Sequence, residues 1–159
     1  MSTAVPPRPR VDKRRRRTFA IVASRFNARF VDGLVHHATK ELRSLLPTAV
    51  VTVVHVPGAF EIPIVVREIA LQKKAAAILA MGVILKGHTT HAEHLSRSVT
   101  NVLQQIAVER GIPVINAVLE MENEKQARER CLEKRINRGI EAARAAVEIV
   151  SVMAKLRGD

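Results

Sequence analysis

The chain has 159 residues, 47% of them hydrophobic, with only seven glycines and seven prolines, which fits one globular domain with a buried core and excludes low-complexity or collagen-like organisation. Its net charge of +11 is uneven, since seven basic residues against Asp12 give residues 1–17 a net +6. The longest apolar run, residues 75–85, is too short for the ~18 residues of a membrane span, and the single cysteine, Cys131, excludes an intramolecular disulfide framework or a thiolate metal cluster.

Residues 1–17 are rich in proline and arginine and have no apolar periodicity, so they read as an extended or disordered basic tail ahead of a single domain over 18–159. The tail is either a solvated segment or a contact for polyanions. The chain has no Trp or Tyr and no zinc-finger spacing, so nucleic-acid binding rests on charge alone and is not expected. No apolar leader core precedes Phe19, and the expected location is cytoplasmic.

Residues 18–23 (TFAIVA) form a short β-branched apolar run, a strand. Residues 31–46 then place Val31, Leu34, Val35, Ala38, Leu42 and Leu45 on one helical face, and Pro47 stops that helix. A second β-branched run, 50–56, meets Pro57-Gly58, after which 61–72 reads as a helix with Pro63 in its first turn. The third strand is 76–85. A long helix over 91–110 follows, with Leu95, Val99, Val102, Leu103 and Ile106 as its buried stripe and Gly111 at its end. Residues 113–119 form a fourth strand, and two charged helical stretches, 124–134 and 138–155, complete the chain. Strands that are apolar throughout are those buried on both faces. The pattern therefore predicts an α/β three-layer sandwich, a four-stranded parallel sheet flanked by helices and joined by right-handed crossovers.

Ligands of such sheets bind beyond the carboxyl ends of the strands. The segments falling there are Arg25-Phe26-Asn27, Pro57-Gly58-Ala59-Phe60-Glu61 and Lys86-Gly87-His88-Thr89-Thr90-His91. Phe26 either offers a flat face to a heteroaromatic ring or tucks into the core. Glu61 is an acceptor for hydroxyls or a plain first-turn carboxylate. The segment opening the long helix supplies free N–H groups for a phosphate, although Thr89 or Thr90 can equally serve as an N-cap. His91 can move protons near neutral pH. His88, His91 and His94 do not form a metal motif, because Glu93 is the only nearby carboxylate and no HExxH pattern is present.

Together these segments resemble lumazine synthase. The resemblance runs from Phe19 to about Val150, on Arg25-Phe26-Asn27, VPGAFEIP (56–63), GVILKGHTTHAEHL (82–95), GIPV (111–114), and Glu129-Arg130 with Lys134, Asn137 and Gly139. It implies a flavodoxin-like fold and a cofactor-free, metal-free condensation of two small-molecule substrates, 5-amino-6-ribitylaminouracil and 3,4-dihydroxy-2-butanone 4-phosphate, to 6,7-dimethyl-8-ribityllumazine. It further implies that Phe26 stacks on the pyrimidine, Ala59 and Glu61 hold the ribityl chain, and backbone at Ile84 and Leu85 reads the uracil edge. Gly87, His88 and Thr89 line the phosphate end, with Arg130 and Lys134 arriving from a neighbouring subunit of a pentamer, and His91 transfers protons. Asn116 stands among the substrate-facing positions where many members carry an aromatic, and His88 replaces a small residue. The loop over 131–137 departs from the glycine-rich form of shell-forming members, which leaves decamers and 60-subunit shells open. Two other readings are a related riboflavin synthase activity and a non-catalytic shell protein with basic tails.

Overall fold

The computed structural model describes residues 3–159. Its elements are β1 (Thr18–Ser24), α1 (Ala28–Leu45), β2 (Val50–Val56), a 3-10 turn (Ala59–Glu61), α2 (Ile62–Gln72), β3 (Ala77–Leu85), α3 (His91–Arg110), β4 (Val114–Met121), α4 (Glu124–Cys131) and α5 (Arg138–Leu156). The strands pair in parallel in the order β2-β1-β3-β4, the expected α/β three-layer arrangement.

The two-residue period of the strands divides the core. Phe19, Ile21 and Ala23 of β1, with Leu79 and Met81 of β3, meet α1, α4 and α5 through Leu34, Leu42, Ala127 and Val147. Ala20 and Val22, with Ile78 and Ala80, meet α2 and α3 through Ile62, Val66, Val99 and Leu103. Chain order and sheet order diverge at β1: the chain steps to β2 on one side and then crosses to β3 on the other. The carboxyl ends of β1 and β3 therefore flank the switch point where open α/β sheets bind ligands.

Three expectations are corrected. β2 is β-branched but lies at the sheet edge, with Thr52, Val53, Val54 and His55 exposed, because burial follows strand order and not the composition of the run. Val102 faces outward on α3, 39% exposed, while Ala92, Val99, Leu103 and Ile106 form the buried stripe. The helix expected over 124–134 stops at Cys131. Its turn is wired by the fully buried Asn137, whose Nδ2 donates to the Cys131 and Glu133 carbonyls at 3.1 and 2.8 Å, while Oδ1 accepts from Gly139 and Ile140 N–H. His37 Nε2 reaches the Leu132 carbonyl at 2.9 Å. The next helix packs so closely that a Cβ on Gly139 would lie 2.4 Å from the Leu34 carbonyl oxygen.

Residues 3–17 contain no helix or strand, and Met1 and Ser2 of the expected tail lie outside the described residues. Arg8 grips both Glu41 oxygens at 3.0 and 3.2 Å and Ser44 Oγ at 2.6 Å. Arg144 reaches Glu41 Oε1 at 2.8 Å and also donates to the Pro6 carbonyl. Burial pushes the Glu41 carboxyl up, but the hydrogen bonds and charges of Arg8 and Arg144 outweigh it and hold it below its ordinary range. Val11 packs against the core on the α1–α5 side.

Candidate active site

The loops after β1 and β2 are tied together by backbone. Arg25 N–H donates to the Val56 and Pro57 carbonyls at 2.9 and 3.2 Å, and Phe26 N–H to Pro57 at 3.3 Å. Asn27 then turns the chain into α1 with a left-handed backbone, φ 56 and ψ 41, which Asn tolerates better than most residues. Its Nδ2 donates to the Val83 carbonyl at 2.7 Å, fastening this loop to the end of β3. Phe26 is left 70% exposed, with its ring against Gly58. The aromatic lies at the rim and is not tucked into the core.

Glu61 closes the same unit. Its Oε2 accepts the Gly58 N–H at 2.9 Å, and a Cβ on Gly58 would come within 3.0 Å of Phe26 Cδ2 and 3.1 Å of Glu61 Oε2. Glycine is needed here for close approach between ring, backbone and carboxylate.

A groove of about 480 Å³ opens at the switch point, and Phe26, Ala59, Glu61, Ile84, Leu85 and His91 all line it. Ala59 and Ile84 are buried beneath it, whereas His91 stands exposed at the start of α3. Gly87, His88 and Thr89 form an exposed loop just beyond these walls. Neither Thr89 nor Thr90 supplies a strong cap: Thr90 makes no side-chain cap bond, and Thr89 Oγ1 is 3.5 Å from the His91 N–H. The N–H groups of this long helix remain open to an anion. Lys86 turns away from the groove to Glu120 and Glu122 at the end of β4, and this pairing, led by the Glu122 hydrogen bond, raises its pKa.

Six sequence-derived positions do not line this groove: Gly87, His88 and Thr89, which lie beyond its walls, and Asn116, Arg130 and Lys134. Asn116 donates to Thr100 Oγ1 at 3.0 Å, accepts from the Val118 N–H, and borders a small cavity beside Arg138 and Glu141. Arg130 sits on α4, and its buried Nε makes no hydrogen bond among the described residues. Lys134 lies exposed in the Asn137-wired turn. The groove also uses Ser24 and Val83, Asn27 and Phe60 of the rim segments, and Leu95, which the helical pattern assigned to the buried stripe and which is half-buried at the groove wall. Asn27 had one legible signal, a side chain tolerant of left-handed backbone at a strand-to-helix turn.

A ligand groove at the switch point of an open parallel sheet, with a histidine, a carboxylate and a helix N-terminus around it, places the chain among the α/β enzymes. The family model for 6,7-dimethyl-8-ribityllumazine synthase matches residues 16–154. The 6,7-dimethyl-8-ribityllumazine synthases of three Xylella fastidiosa strains, M12, M23 and Temecula1, are each 42% identical over 139 residues, spanning 87% of this chain and 90% of theirs. The chain belongs to the 6,7-dimethyl-8-ribityllumazine synthase family, transferases of riboflavin biosynthesis. Among solved structures, a GDSL-like lipase from Bacteroides thetaiotaomicron aligns with a TM-score of 0.40 at 11% identity, covering 89% of this chain and 65% of that one, a likeness too loose to bear on function.

Proposed function

We propose that this chain condenses 5-amino-6-ribitylaminouracil with 3,4-dihydroxy-2-butanone 4-phosphate in the switch-point groove to give 6,7-dimethyl-8-ribityllumazine. The reading rests on the Phe26–Gly58–Glu61 unit facing His91 across one groove in a chain of this family. Phe26 stacks on the pyrimidine, Ala59 and Glu61 hold the ribityl chain, and backbone at Ile84 and Leu85 reads the uracil edge. Gly87, His88 and Thr89 receive the phosphate at the α3 N-terminus.

The chemistry requires proton movement throughout. The amine attacks the ketone, the carbinolamine loses water to form an imine, phosphate leaves by elimination, and ring closure expels a second water. His91 at the groove wall gives and takes these protons, and holding two reactants together lowers the barrier further. Arg130, Lys134 and Asn116, which one chain does not bring to the groove, reach it across a subunit interface. An Arg fork suits the phosphate.

The unit we propose is a pentameric ring. Between α2 and α3 a groove of about 390 Å³ exposes Phe60, Ile64 and Val102, an apolar patch fit for a second copy. No helix among the described residues is long and apolar enough to cross a membrane. We place the enzyme in the cytoplasm, where a lone cysteine stays reduced.

The test is a condensation assay of the full chain, following lumazine absorbance with both substrates present. Lumazine formation that falls ~10-fold or more in His91→Ala, with ribityl-pyrimidine binding kept, supports the reading. No condensation by the parent, or riboflavin formed from lumazine alone, overturns it.

A further inference from the structure

We propose that the amino-terminal segment is a second binding surface, at the opposite end of the sheet from the catalytic groove, for the phosphodiester backbone of a nucleic acid. The surface is built, not loose. Its upstream end is held by the Arg8–Glu41–Arg144 clamp and the bond from Arg144 to the Pro6 carbonyl. Its downstream end enters the sheet, where Val50 N–H donates to the Arg17 carbonyl at 2.9 Å. Between these anchors Val11 is pinned to the core. The cations between the anchors are therefore carried on a segment fixed at three points, and less ordering entropy opposes binding than for a free tail.

Their arrangement favours a polyanion. Asp12 spends its carboxylate on Arg14, accepting from Arg14 N–H and Nε at 3.1 Å each. Lys13 and Arg16 are exposed and have no ion-pair or side-chain hydrogen-bond partner among the described residues, and Arg15, also exposed, meets only the charge of Asp12, which Arg14 already holds. Arg10, Arg15 and Arg17 of the segment and Lys155 of α5 surround a basin of about 280 Å³, with Asp12 and Asp159 the acids at its edge.

The composition narrows the partner. Five of the six cations from residues 10 to 17 are arginines, whose forked donors match phosphate oxygens better than ammonium does. The one apolar side chain within that stretch, Val11, points into the protein, so nothing is left to insert into a bilayer. No aromatic stands there to stack on bases, so recognition is through phosphates and indifferent to sequence.

The experiment uses the full-length protein and a fluorescein-labelled single-stranded RNA of about 20 nucleotides, read by anisotropy. If about four phosphates are neutralised, affinity falls about 50-fold between 50 and 200 mM salt. Linear polyphosphate and duplex DNA should compete, whereas changing the base composition should have no effect. Replacing Arg10, Lys13, Arg15 and Arg16 together by glutamine should abolish the salt-dependent binding while condensation activity stays at the parental level. Glu41→Gln removes a negative charge yet frees the clamp, so it should weaken RNA binding several-fold. Equal or tighter binding by Glu41→Gln would overturn the clamped surface. RNA affinity unchanged in the four-glutamine variant, or binding only to phosphatidylserine vesicles, would overturn the proposal itself without touching the catalytic reading.

Discussion

Gly58→Ala isolates the geometry of the groove from the stability of the fold. Gly58 has φ −139 and ψ −179, an extended backbone open to any residue, so the alanine adds no backbone strain and acts only through its methyl. That methyl would sit 3.0 Å from Phe26 Cδ2, 3.2 Å from Phe26 Cε2 and 3.1 Å from Glu61 Oε2, and both neighbours must retreat by a few tenths of an ångström. The Phe26 ring is largely solvated and can swing aside, so the fold should lose less than ~1 kcal/mol. Ligand binding bears the cost. A displaced aromatic face forfeits ~0.5–1.5 kcal/mol of stacking, and a Glu61 carboxylate pushed off its Gly58 N–H anchor is misplaced for the ligand hydroxyls it would accept. A loss of ~1–2 kcal/mol weakens affinity about 5- to 30-fold. Fluorescence titration with the lumazine product measures it, with a melting curve as control. Phe26→Ala alone should cost ~1–3 kcal/mol in the same titration, and adding Gly58→Ala to it should cost much less than in the parent, because the ring it displaces is gone. Parental affinity in Gly58→Ala, or full additivity in the double variant, would refute the coupled Phe26–Gly58–Glu61 unit.

Two further predictions concern buried groups. The Glu41 pKa is depressed in the fold, so its clamp contributes stability above the ordinary carboxylate range near ~4.3 and loses it as pH falls through the lower folded value. Urea midpoints of Glu41→Gln should lie below the parent's at pH 7 and converge on them toward pH 3, and a gap independent of pH would show that the clamp contributes nothing through its charge. Burial pushes the Cys131 thiol up to about 12, against a smaller opposing effect of Arg130, so native protein should leave a thiol reagent unconsumed at pH 8 until denaturant is added. Rapid modification of the folded chain would place Cys131 at an exposed position.

Much of this organisation is legible in the chain itself, because strands and helices announce themselves by different periods. The β1 and β3 runs and the Val31–Leu34–Ala38–Leu42 face lie in the core as their patterns imply. β2 shows the limit: VVTVVHV has the composition of an inner strand, yet it lies at an edge, since pairing order is a property of the whole chain. The end of α4 was hidden for a similar reason, for Asn137 and His37 stop it by bonds to its carbonyls from outside the local pattern. The rim of the site was legible because Phe26, Glu61 and His91 each follow a strand and so had to meet. Arg130, Lys134 and Asn116 were legible only through the family resemblance, because one chain does not bring them to the groove.

That division makes sharing of the site between subunits the central claim, with Phe26 and His91 from one chain and Arg130 from the next. Co-refolding His91→Ala and Arg130→Ala chains in equal amounts tests it most directly, with native mass spectrometry confirming mixed rings. Each site then draws its two halves independently, so about a quarter should pair an intact groove with an intact Arg130. The account predicts activity rising toward about a quarter of the parent's, above either variant refolded alone. Mixed rings whose activity stays at the average of the two variants would contradict it, placing the complete site within a single subunit.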